Sequence, residues 1–248
     1  MMLTSTSLVL HVLGALFFHV SPSSAGPLAS PKRGLVFTPN STFPTDYKIW
    51  TQQPSDLTWY YNYEPNPSPV FNSLSQSEFE FVPMLWGTPS DPSDTSFFRT
   101  IESLVKEKGI NITNVLSFNE PDGPFHWGGS NMDPDVAAQV WVNNIEPIRQ
   151  MGIRVGLPAC TGAPSGLPWL RLFLESCSKV ISNGGPARNC TFDFVTLHWY
   201  GPFEGLASHM GQYSAEYVSP VEPVIRLRAN LNLDQDFQTR PCGSLNIT

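Results

Sequence analysis

The stretch that ends in Asn119, Glu120 and Pro121 carries the clearest chemical signal in the chain. Apolar residues from Val115 predict a buried strand, and Pro121 must end it because proline has no N–H to donate to a ladder. Pro121 also favours an extended backbone at Glu120. The sequence therefore predicts a carboxylate at a strand end, where barrel enzymes carry their reacting groups. The alternative is a turn with a solvated acid.

Other polar and aromatic residues follow the ends of predicted strands in the same way. Trp86 closes one apolar run, and the sequence His198-Trp199-Tyr200 closes another. The chain as a whole is rich in aromatic residues, with seven Trp, seven Tyr and sixteen Phe. Most of these rings are expected in the core, but sugars stack their C–H faces on exposed rings, so some are expected to line a groove.

Strand-like apolar runs alternate with helix-like periods along the chain, which indicates repeated βα units. Three helices are predicted in the spaces between the third and sixth strands. The first ends at Gly109, the second begins at the N-cap Asp133 and ends at Gly152, and the third covers residues 170–177. Six strands are predicted, at residues 35–38, 59–63, 79–86, 115–119, 154–159 and 194–200.

Parallel strands joined by helices form either a doubly wound open sheet or a (β/α)8 barrel. A nucleotide-binding open sheet would carry Gly-x-Gly-x-x-Gly or Gly-x-x-x-x-Gly-Lys, and the sequence has neither motif. A serine-hydrolase elbow is also excluded, because Ser165 does not occupy the serine position of Gly-x-Ser-x-Gly. The functional residue types at strand ends favour the barrel.

Composition excludes several classes of partner. A net charge of -7 and a pI near 5.1 argue against nucleic acid and anionic membranes, whose binding needs clustered Lys and Arg. The chain has no Cys-x-x-Cys and no His-Glu-x-x-His, so no metal site is expected. Cys177 and Cys190 bracket a short loop and are predicted to form a disulfide in an oxidising compartment.

The N-terminus predicts secretion. Apolar residues 8–20 and the small residues up to Ala25 have the pattern of a signal peptide, assigned to residues 1–25, and are too short for a membrane span. Glycans are predicted at the sequons of Asn40, Asn111 and Asn189, and a fourth sequon lies at Asn246. We expect an extracellular or cell-wall protein without a membrane span.

Several stretches together resemble glycoside hydrolase family 128, the alkali-sensitive-linkage-protein type of glycosidase. The resemblance covers residues 32–217 and implies a (β/α)8 TIM-barrel glycosidase that hydrolyses β-1,3-glucan with retention. It also implies a β-glucan partner and no cofactor, and we expect a monomer. The matching stretches are Lys32-Arg33-Gly34-Leu35, Trp59-Tyr60-Tyr61-Asn62-Tyr63, Phe81-Val82-Pro83-Met84-Leu85-Trp86-Gly87, Phe118-Asn119-Glu120-Pro121-Asp122 and His198-Trp199-Tyr200-Gly201.

The same resemblance implies roles for individual residues. Glu120 matches the general acid/base on the fourth strand, and Asn119 matches the residue that bonds the sugar 2-hydroxyl. The rings at the strand ends are assigned to a sugar platform or to orienting the nucleophile. His198 is assigned to substrate binding, with a hydrogen-bonded wall residue as the alternative. The four substrate-binding assignments besides Asn119 are Trp86, His198, Trp199 and Tyr200.

The sequence departs from the family pattern after Tyr217. A retaining glycosidase needs a second carboxylate about 5 Å from the first, and the expected Trp-x-Thr-Glu-like seventh strand is absent, so the nucleophile is unknown. The remaining acids near this point are Glu204, Glu216 and Glu222. We therefore expect an incomplete barrel of about six βα units with an aberrant or unstructured tail at residues 218–248. The alternatives are a non-catalytic glucan-binding fragment and a gene-model artefact.

Overall fold

The computed structural model describes residues 33–52, 54–217 and 228–232. Within these residues, strands and helices alternate along the chain as an α/β fold. The five helices are α1 Lys48–Thr51, α2 Ser96–Lys106, α3 Pro134–Gln150, α4 Gly166–Ser182 and α5 Phe203–Tyr217. The seven strands are β1 Gly34–Val36, β2 Trp59–Tyr61, β3 Glu80–Phe81, β4 Asn114–Val115, β5 Arg154–Val155, β6 Thr196–Tyr200 and β7 Arg228–Asn232.

The strands form one parallel wall in the order of the sequence. β1, β2 and β3 pair in parallel, as do β4 with β5 and β6 with β7. Parallel bridges between Met84 and Leu116 and between Gly156 and Phe194 connect these groups. Because every strand runs in the same direction, their carboxyl ends meet along one edge, where the predicted site residues lie.

The wall is packed on both faces, as the alternation of side chains along a strand requires. On one face, Tyr60 packs with Phe71, Phe79 and Phe81 in the large cluster that also includes the helices. Trp59 and Tyr61, on either side of Tyr60 in β2, belong to a smaller cluster on the opposite face of the wall. This smaller cluster contains Val36, Trp59, Tyr61, Val82, Met84, Leu116 and Phe194.

The predicted ends of α2 and α3 agree with the structure, whereas α4, Gly166–Ser182, is longer at both ends than the predicted residues 170–177. Asp133 caps α3, and its side chain accepts hydrogen bonds from the N–H groups of Asp135 and Val136. Gly109 and Gly152 have φ angles of 67° and 83°, the left-handed conformation expected where a helix ends.

The predicted pairing of Cys177 with Cys190 is present as a disulfide, and it joins the middle of α4 to the loop before β6. The two Cα atoms are 5.8 Å apart. Cys160 is the remaining cysteine in the described residues, and its thiol is free and buried.

All six predicted strands are found in place, although most are shorter than expected. β7 lies inside residues 218–248 and was not predicted, so the expectation of an unstructured tail does not hold for these five residues. The rest of that tail and the predicted signal peptide lie outside the described residues, and the incomplete barrel stays a prediction. No helix in the described part of the chain is long and apolar enough to cross a bilayer.

Candidate active site

Glu120 lies in the segment that follows β4, and backbone hydrogen bonds join this segment to the segments that follow β3 and β5. The N–H of Asn119 donates to the carbonyl of Trp86 at 2.9 Å, and the N–H of Glu120 donates to the carbonyl of Ala159 at 2.7 Å. The φ angle of Glu120 is 43°, so the extended backbone expected before Pro121 is wrong. A left-handed conformation at a residue with a side chain costs about 1–3 kcal/mol and persists where the surroundings impose it. Here the hydrogen bonds to both neighbouring strands impose it.

The carboxylate of Glu120 is paired with His198 at the end of β6. Oε1 of Glu120 lies 2.7 Å from Nδ1 of His198. Only 7% of Glu120 and 6% of His198 is exposed. Nδ1–H can donate to an ionised carboxylate, and a neutral carboxyl can donate its O–H to an unprotonated Nδ1. The pair therefore holds the carboxyl in one orientation in either protonation state.

Three tyrosines surround this pair. Burial raises the pKa of Tyr61 well above its usual range, and the charges of Tyr63, Tyr200 and Glu120 add to that shift. Burial of the phenol and the nearby charge of Glu120 also raise the pKa of Tyr200, although 57% of that residue is exposed. The phenols of Tyr61 and Tyr200 are therefore neutral hydrogen-bonding groups beside the carboxylate at any ordinary pH.

Asn119 presents an unused acceptor next to Glu120. Its amide Nδ2 donates to the carbonyl of Gly128 at 3.0 Å. Its Oδ1 is buried and has no hydrogen-bond partner within the described residues. An unsatisfied buried acceptor is costly, so a ligand hydroxyl that donates to Oδ1 would bind favourably here.

Asp122 ties the loop that follows Glu120 to the loop that follows β5. Its carboxylate accepts hydrogen bonds from the N–H of Thr161 at 2.8 Å and from its hydroxyl at 2.6 Å. The hydroxyl of Ser165 also donates to it, at 2.7 Å. Together these bonds fix the position of the loop on which Glu120 is mounted.

An aromatic loop leaves the site immediately after this anchor. Phe125 and Trp127 lie in a 3₁₀ turn, Phe125–Trp127, and are 64% and 79% exposed. The ring of Phe125 stacks near Trp86, with 6.4 Å between the ring centroids. Gly129 allows the loop to close, because a Cβ there would overlap the backbone of Gly123. Trp86 therefore has an exposed aromatic neighbour at the site.

Trp199 lies on the opposite face of β6 from His198. Its indole packs against His209 of α5, with 5.3 Å between the ring centroids, and its N–H donates to the carbonyl of Pro202. A Cβ at Gly205 would overlap the indole, so the ring fills the space between strand and helix. The structure brings Asn119, His198 and Tyr200 to Glu120 and gives Trp199 a packing position. Its assignment to substrate binding stays a prediction.

Two of the acids that remain as candidates for the second carboxylate, Glu204 and Glu216, lie on α5. Glu204 is exposed in the first turn of α5, and Glu216 forms a two-pronged ion pair with Arg171 at 2.7 and 2.6 Å. Arg171 holds the pKa of the Glu216 carboxyl below its usual value. Glu222 lies outside the described residues. No group of three or more potential metal ligands is present in the part of the chain that the structure describes.

The model for the glycosyl hydrolase catalytic core matches residues 34–224. The chain belongs to this family. Alkali-sensitive linkage protein 1 of Schizosaccharomyces pombe (strain 972 / ATCC 24843) is 28% identical over 195 residues, a match that covers 77% of the chain and 30% of that relative. The chain thus spans about 30% of the length of the curated relative that it matches.

Solved structures share the fold of this glycosyl hydrolase core. An endo-β-1,3-glucanase of glycoside hydrolase family 128, subgroup II, from Pseudomonas viridiflava is 26% identical with a TM-score of 0.55, over 74% of this chain and 66% of that one. A subgroup II endo-β-1,3-glucanase from Sorangium cellulosum is 20% identical with a TM-score of 0.58, over 82% and 76% of the two chains. These similarities agree with the predicted family resemblance.

Three features of this glycosyl hydrolase core were not predicted. The contact between Glu120 and His198 spans 78 residues, and a sequence contains no direct signal for such a pairing. The hydrogen bonds of Asp122 to Thr161 and Ser165 were not predicted either, although an acid directly after Glu-Pro is a typical side-chain acceptor in a turn. Phe125 and Trp127 could have been suspected from their place in a Gly-rich loop after the motif.

Proposed function

We propose that this glycosyl hydrolase core cleaves β-1,3-glucan and that Glu120 is its general acid/base. The observation that carries the proposal is the buried contact between Glu120 and His198 at the edge where the parallel strands end. A catalytic acid must be held in one orientation and kept from bulk water, and this carboxyl meets both conditions. The names of the solved structures with the same fold support the substrate class.

In the first step, Glu120 donates its proton to the glycosidic oxygen as the bond from that oxygen to C1 breaks. A second carboxylate attacks C1 and forms a glycosyl-enzyme. In the second step, the Glu120 carboxylate takes a proton from water, whose oxygen attacks C1 and releases the sugar. Among the described residues the second carboxylate is unassigned, because Glu204 is exposed and Glu216 is paired with Arg171.

The groups around Glu120 have separate tasks in this proposal. The unused Oδ1 of Asn119 accepts a hydrogen bond from a sugar hydroxyl, in keeping with the 2-hydroxyl contact that the family resemblance implies. Trp86 and Tyr200 offer rings to the C–H faces of the sugars. His198 is a positioning residue, since it acts through Glu120.

Secretion remains part of the proposal, with residues 1–25 as signal peptide and an extracellular or cell-wall location. Asn40, Asn111 and Asn189 are all exposed, so each sequon is accessible to glycosylation. The disulfide between Cys177 and Cys190 fits an oxidising compartment. The catalytic domain is assigned to residues 32–217.

A second candidate function is glucan binding without hydrolysis. The exposure of Glu204 and the ion pair of Glu216 with Arg171 favour it, since retaining hydrolysis needs a second carboxylate about 5 Å from the first and neither acid is free at the site to serve as one. The two functions share the sugar-binding surface and differ only in turnover.

The test is incubation of the purified chain with soluble β-1,3-glucan and, in parallel, with soluble β-1,4-glucan. We expect new reducing ends from the β-1,3-glucan alone, and proton NMR of the first products should show the β-anomer. Binding of β-1,3-glucan without new reducing ends would favour the second candidate. Release of the α-anomer first would contradict the retaining mechanism.

A further inference from the structure

A cavity of about 450 Å3 lies beside the proposed site, between the ends of β2 and β3 and the first turns of α2. Glu120 does not line it, so the cavity is distinct from the acid/base pair. Its size falls within the usual range for small-molecule sites, roughly 300–1,000 Å3. Its lining residues are Tyr63, Glu64, Pro65, Met84, Leu85, Trp86, Ser96, Phe97 and Thr100.

The lining has the two kinds of surface that a neutral sugar needs. Trp86 supplies an indole face, and Met84 and Phe97 add apolar surface. Glu64 supplies a carboxylate, and Ser96 and Thr100 supply hydroxyls. A pyranose ring has C–H faces that pack on an indole and hydroxyls that bond to carboxylate oxygens. The lining contains no Lys or Arg, and the negative charge of Glu64 disfavours phosphate and uronic acids.

The carboxylate of Glu64 is available to a ligand. The side chain is exposed, and within the described part of the chain it makes no hydrogen bond. Its backbone is held in place, because its N–H donates to the side chain of Asn62 and its carbonyl accepts from the N–H of Met84. Tyr63, directly before it, has a φ angle of 62°, which turns the chain into the cavity wall. A fixed backbone with an unused carboxylate is a suitable arrangement for binding hydroxyls.

The cavity is next to the site at Glu120, because Trp86 lines it and contacts the residue before Glu120. The carbonyl of Trp86 accepts a hydrogen bond from the N–H of Asn119, the residue before the acid/base. On the other side, Tyr63 lines the cavity and its ring packs against Tyr61, with 5.2 Å between the ring centroids. The cavity therefore lies directly beside the place where a glucan chain would cross Glu120.

We propose that the cavity is an additional subsite that binds a glucosyl residue of the glucan chain away from the bond to be cleaved. Trp86 packs on the sugar face, and the Glu64 carboxylate accepts hydrogen bonds from its hydroxyls. This subsite rests on the proposed function for its ligand, and it determines how many sugar units the protein prefers.

The test is titration calorimetry with β-1,3-glucan oligosaccharides of two to six units. It uses the full chain carrying Glu120→Gln, so that the oligosaccharides are not consumed. In this background we expect affinity to rise with length until the cavity is filled. Glu64→Ala should lower the affinity for the longest oligosaccharide by about 10-fold, since a hydrogen bond to a charged group is lost. The shortest oligosaccharide should bind as before.

The matched control is Glu102→Gln on α2, an acid that pairs with Lys106 and does not line the cavity. Thr100→Val is a second cavity variant that keeps the shape of the side chain, and we expect a smaller loss in the same direction. Equal affinities of Glu64→Ala and its parent at every length would overturn the subsite, as would an equal loss with Glu102→Gln.

The experiment separates this proposal from the proposed function. If the wild-type chain releases no reducing ends but Glu64→Ala removes the gain in affinity with length, the subsite stands and the hydrolytic function fails. If the wild-type chain hydrolyses glucan but the gain with length survives in both cavity variants, the function stands and the subsite is overturned.

Discussion

The two faces of β6 contrast sharply, although their key residues are adjacent in the sequence. On one face, His198 contacts the Glu120 carboxylate at 2.7 Å. On the other, Trp199 packs against His209 of α5 and bonds to the carbonyl of Pro202. Successive side chains of a strand point to opposite faces, so this division follows from strand geometry. In the His198-Trp199-Tyr200 motif, His198 therefore belongs to the site, whereas Trp199 packs the strand against α5.

The two faces also differ in where their unused hydrogen-bonding groups lie. On the site face, the pair of Glu120 and His198 is complete, and Asn119 keeps an unused acceptor next to the buried carboxylate. On the helix face, the indole N–H of Trp199 bonds to the carbonyl of Pro202, whereas Nε2 of His209 and the hydroxyl of Tyr213 are buried without a hydrogen-bond partner in the described residues. Unused capacity alone therefore does not separate the two faces, and the buried carboxylate is the feature that marks the site face.

The largest expected effect is on the site face. Glu120→Gln should lower hydrolysis of soluble β-1,3-glucan by about 10²–10⁴-fold, because the amide has no proton to donate to the leaving oxygen. Binding of the glucan should be retained, since the shape is nearly the same. Reducing-end assays and calorimetry on one preparation measure the two effects. Glu204→Gln, on the exposed first turn of α5, is the matched control. A comparable loss of activity in this variant would show that the effect is not specific to Glu120.

His198→Ala should reduce turnover by about 10- to 100-fold. The substitution removes the hydrogen bond that orients the Glu120 carboxyl, and a hydrogen bond to a charged group contributes about 1.5–3 kcal/mol. The effect should fall on kcat more than on KM, because His198 acts through Glu120. Steady-state kinetics on a β-1,3-glucan oligosaccharide measure both constants. A rise in KM with unchanged kcat would instead make His198 a sugar-binding residue.

Trp199→Ala tests the helix face. We expect the free energy of unfolding to fall by about 2 kcal/mol, less than the 3–5 kcal/mol typical of a fully buried tryptophan, because the indole is half-buried. Tyr200→Ala, at a residue with 57% exposure, is the control and should change stability little. Urea unfolding of both variants gives the comparison. If the Tyr200 variant is the less stable of the two, our assignment of the faces is reversed.

The smallest expected effect concerns His209, which packs on Trp199 and Tyr213. Burial lowers the pKa of His209, and the charge of Asp122 partly opposes that shift. The unfolded chain therefore binds more protons at this position than the folded chain when the pH falls below about 6.5, the usual value for histidine. Its contribution to stability is present at pH 7.5 and decreases on acidification.

His209→Gln should consequently make the stability of the protein less dependent on pH between 7.5 and 5.5. Urea midpoints at several pH values in that range measure the slope. His126→Gln, in the exposed aromatic loop, is the matched control. An unchanged slope in the His209 variant would show that burial of this imidazole does not contribute to acid sensitivity.

The sequence predicted the features that depend on local patterns. The N-cap at Asp133 and the left-handed turn at Gly152 follow from rules for helix ends. The position of Glu120 beyond a strand follows from an apolar run stopped by proline. The pairing of Cys177 with Cys190 was predictable because a short loop separates them.

Features that depend on the meeting of distant segments could not be predicted in this way. The left-handed backbone of Glu120 overrides the local effect of Pro121, since hydrogen bonds to Trp86 and Ala159 involve both neighbouring strands. β7 has only two apolar residues, Ala229 and Leu231, which is too short a pattern to identify a strand, and it is recognised by its pairing with β6. The opposite orientations of His198 and Trp199 required the strand's register, which only the neighbouring strands define.

The central claim, that Glu120 supplies the proton to the leaving group, is tested most directly by the dependence on the leaving group. We would measure kcat/KM of the wild type and of Glu120→Gln on β-1,3-glucan and on an aryl β-glycoside with a strongly acidic phenol. The phenol needs no proton to depart, so the account predicts a loss of more than about 100-fold on glucan and of less than about 10-fold on the aryl substrate. Equal losses on both substrates would contradict the assignment of Glu120 as the general acid.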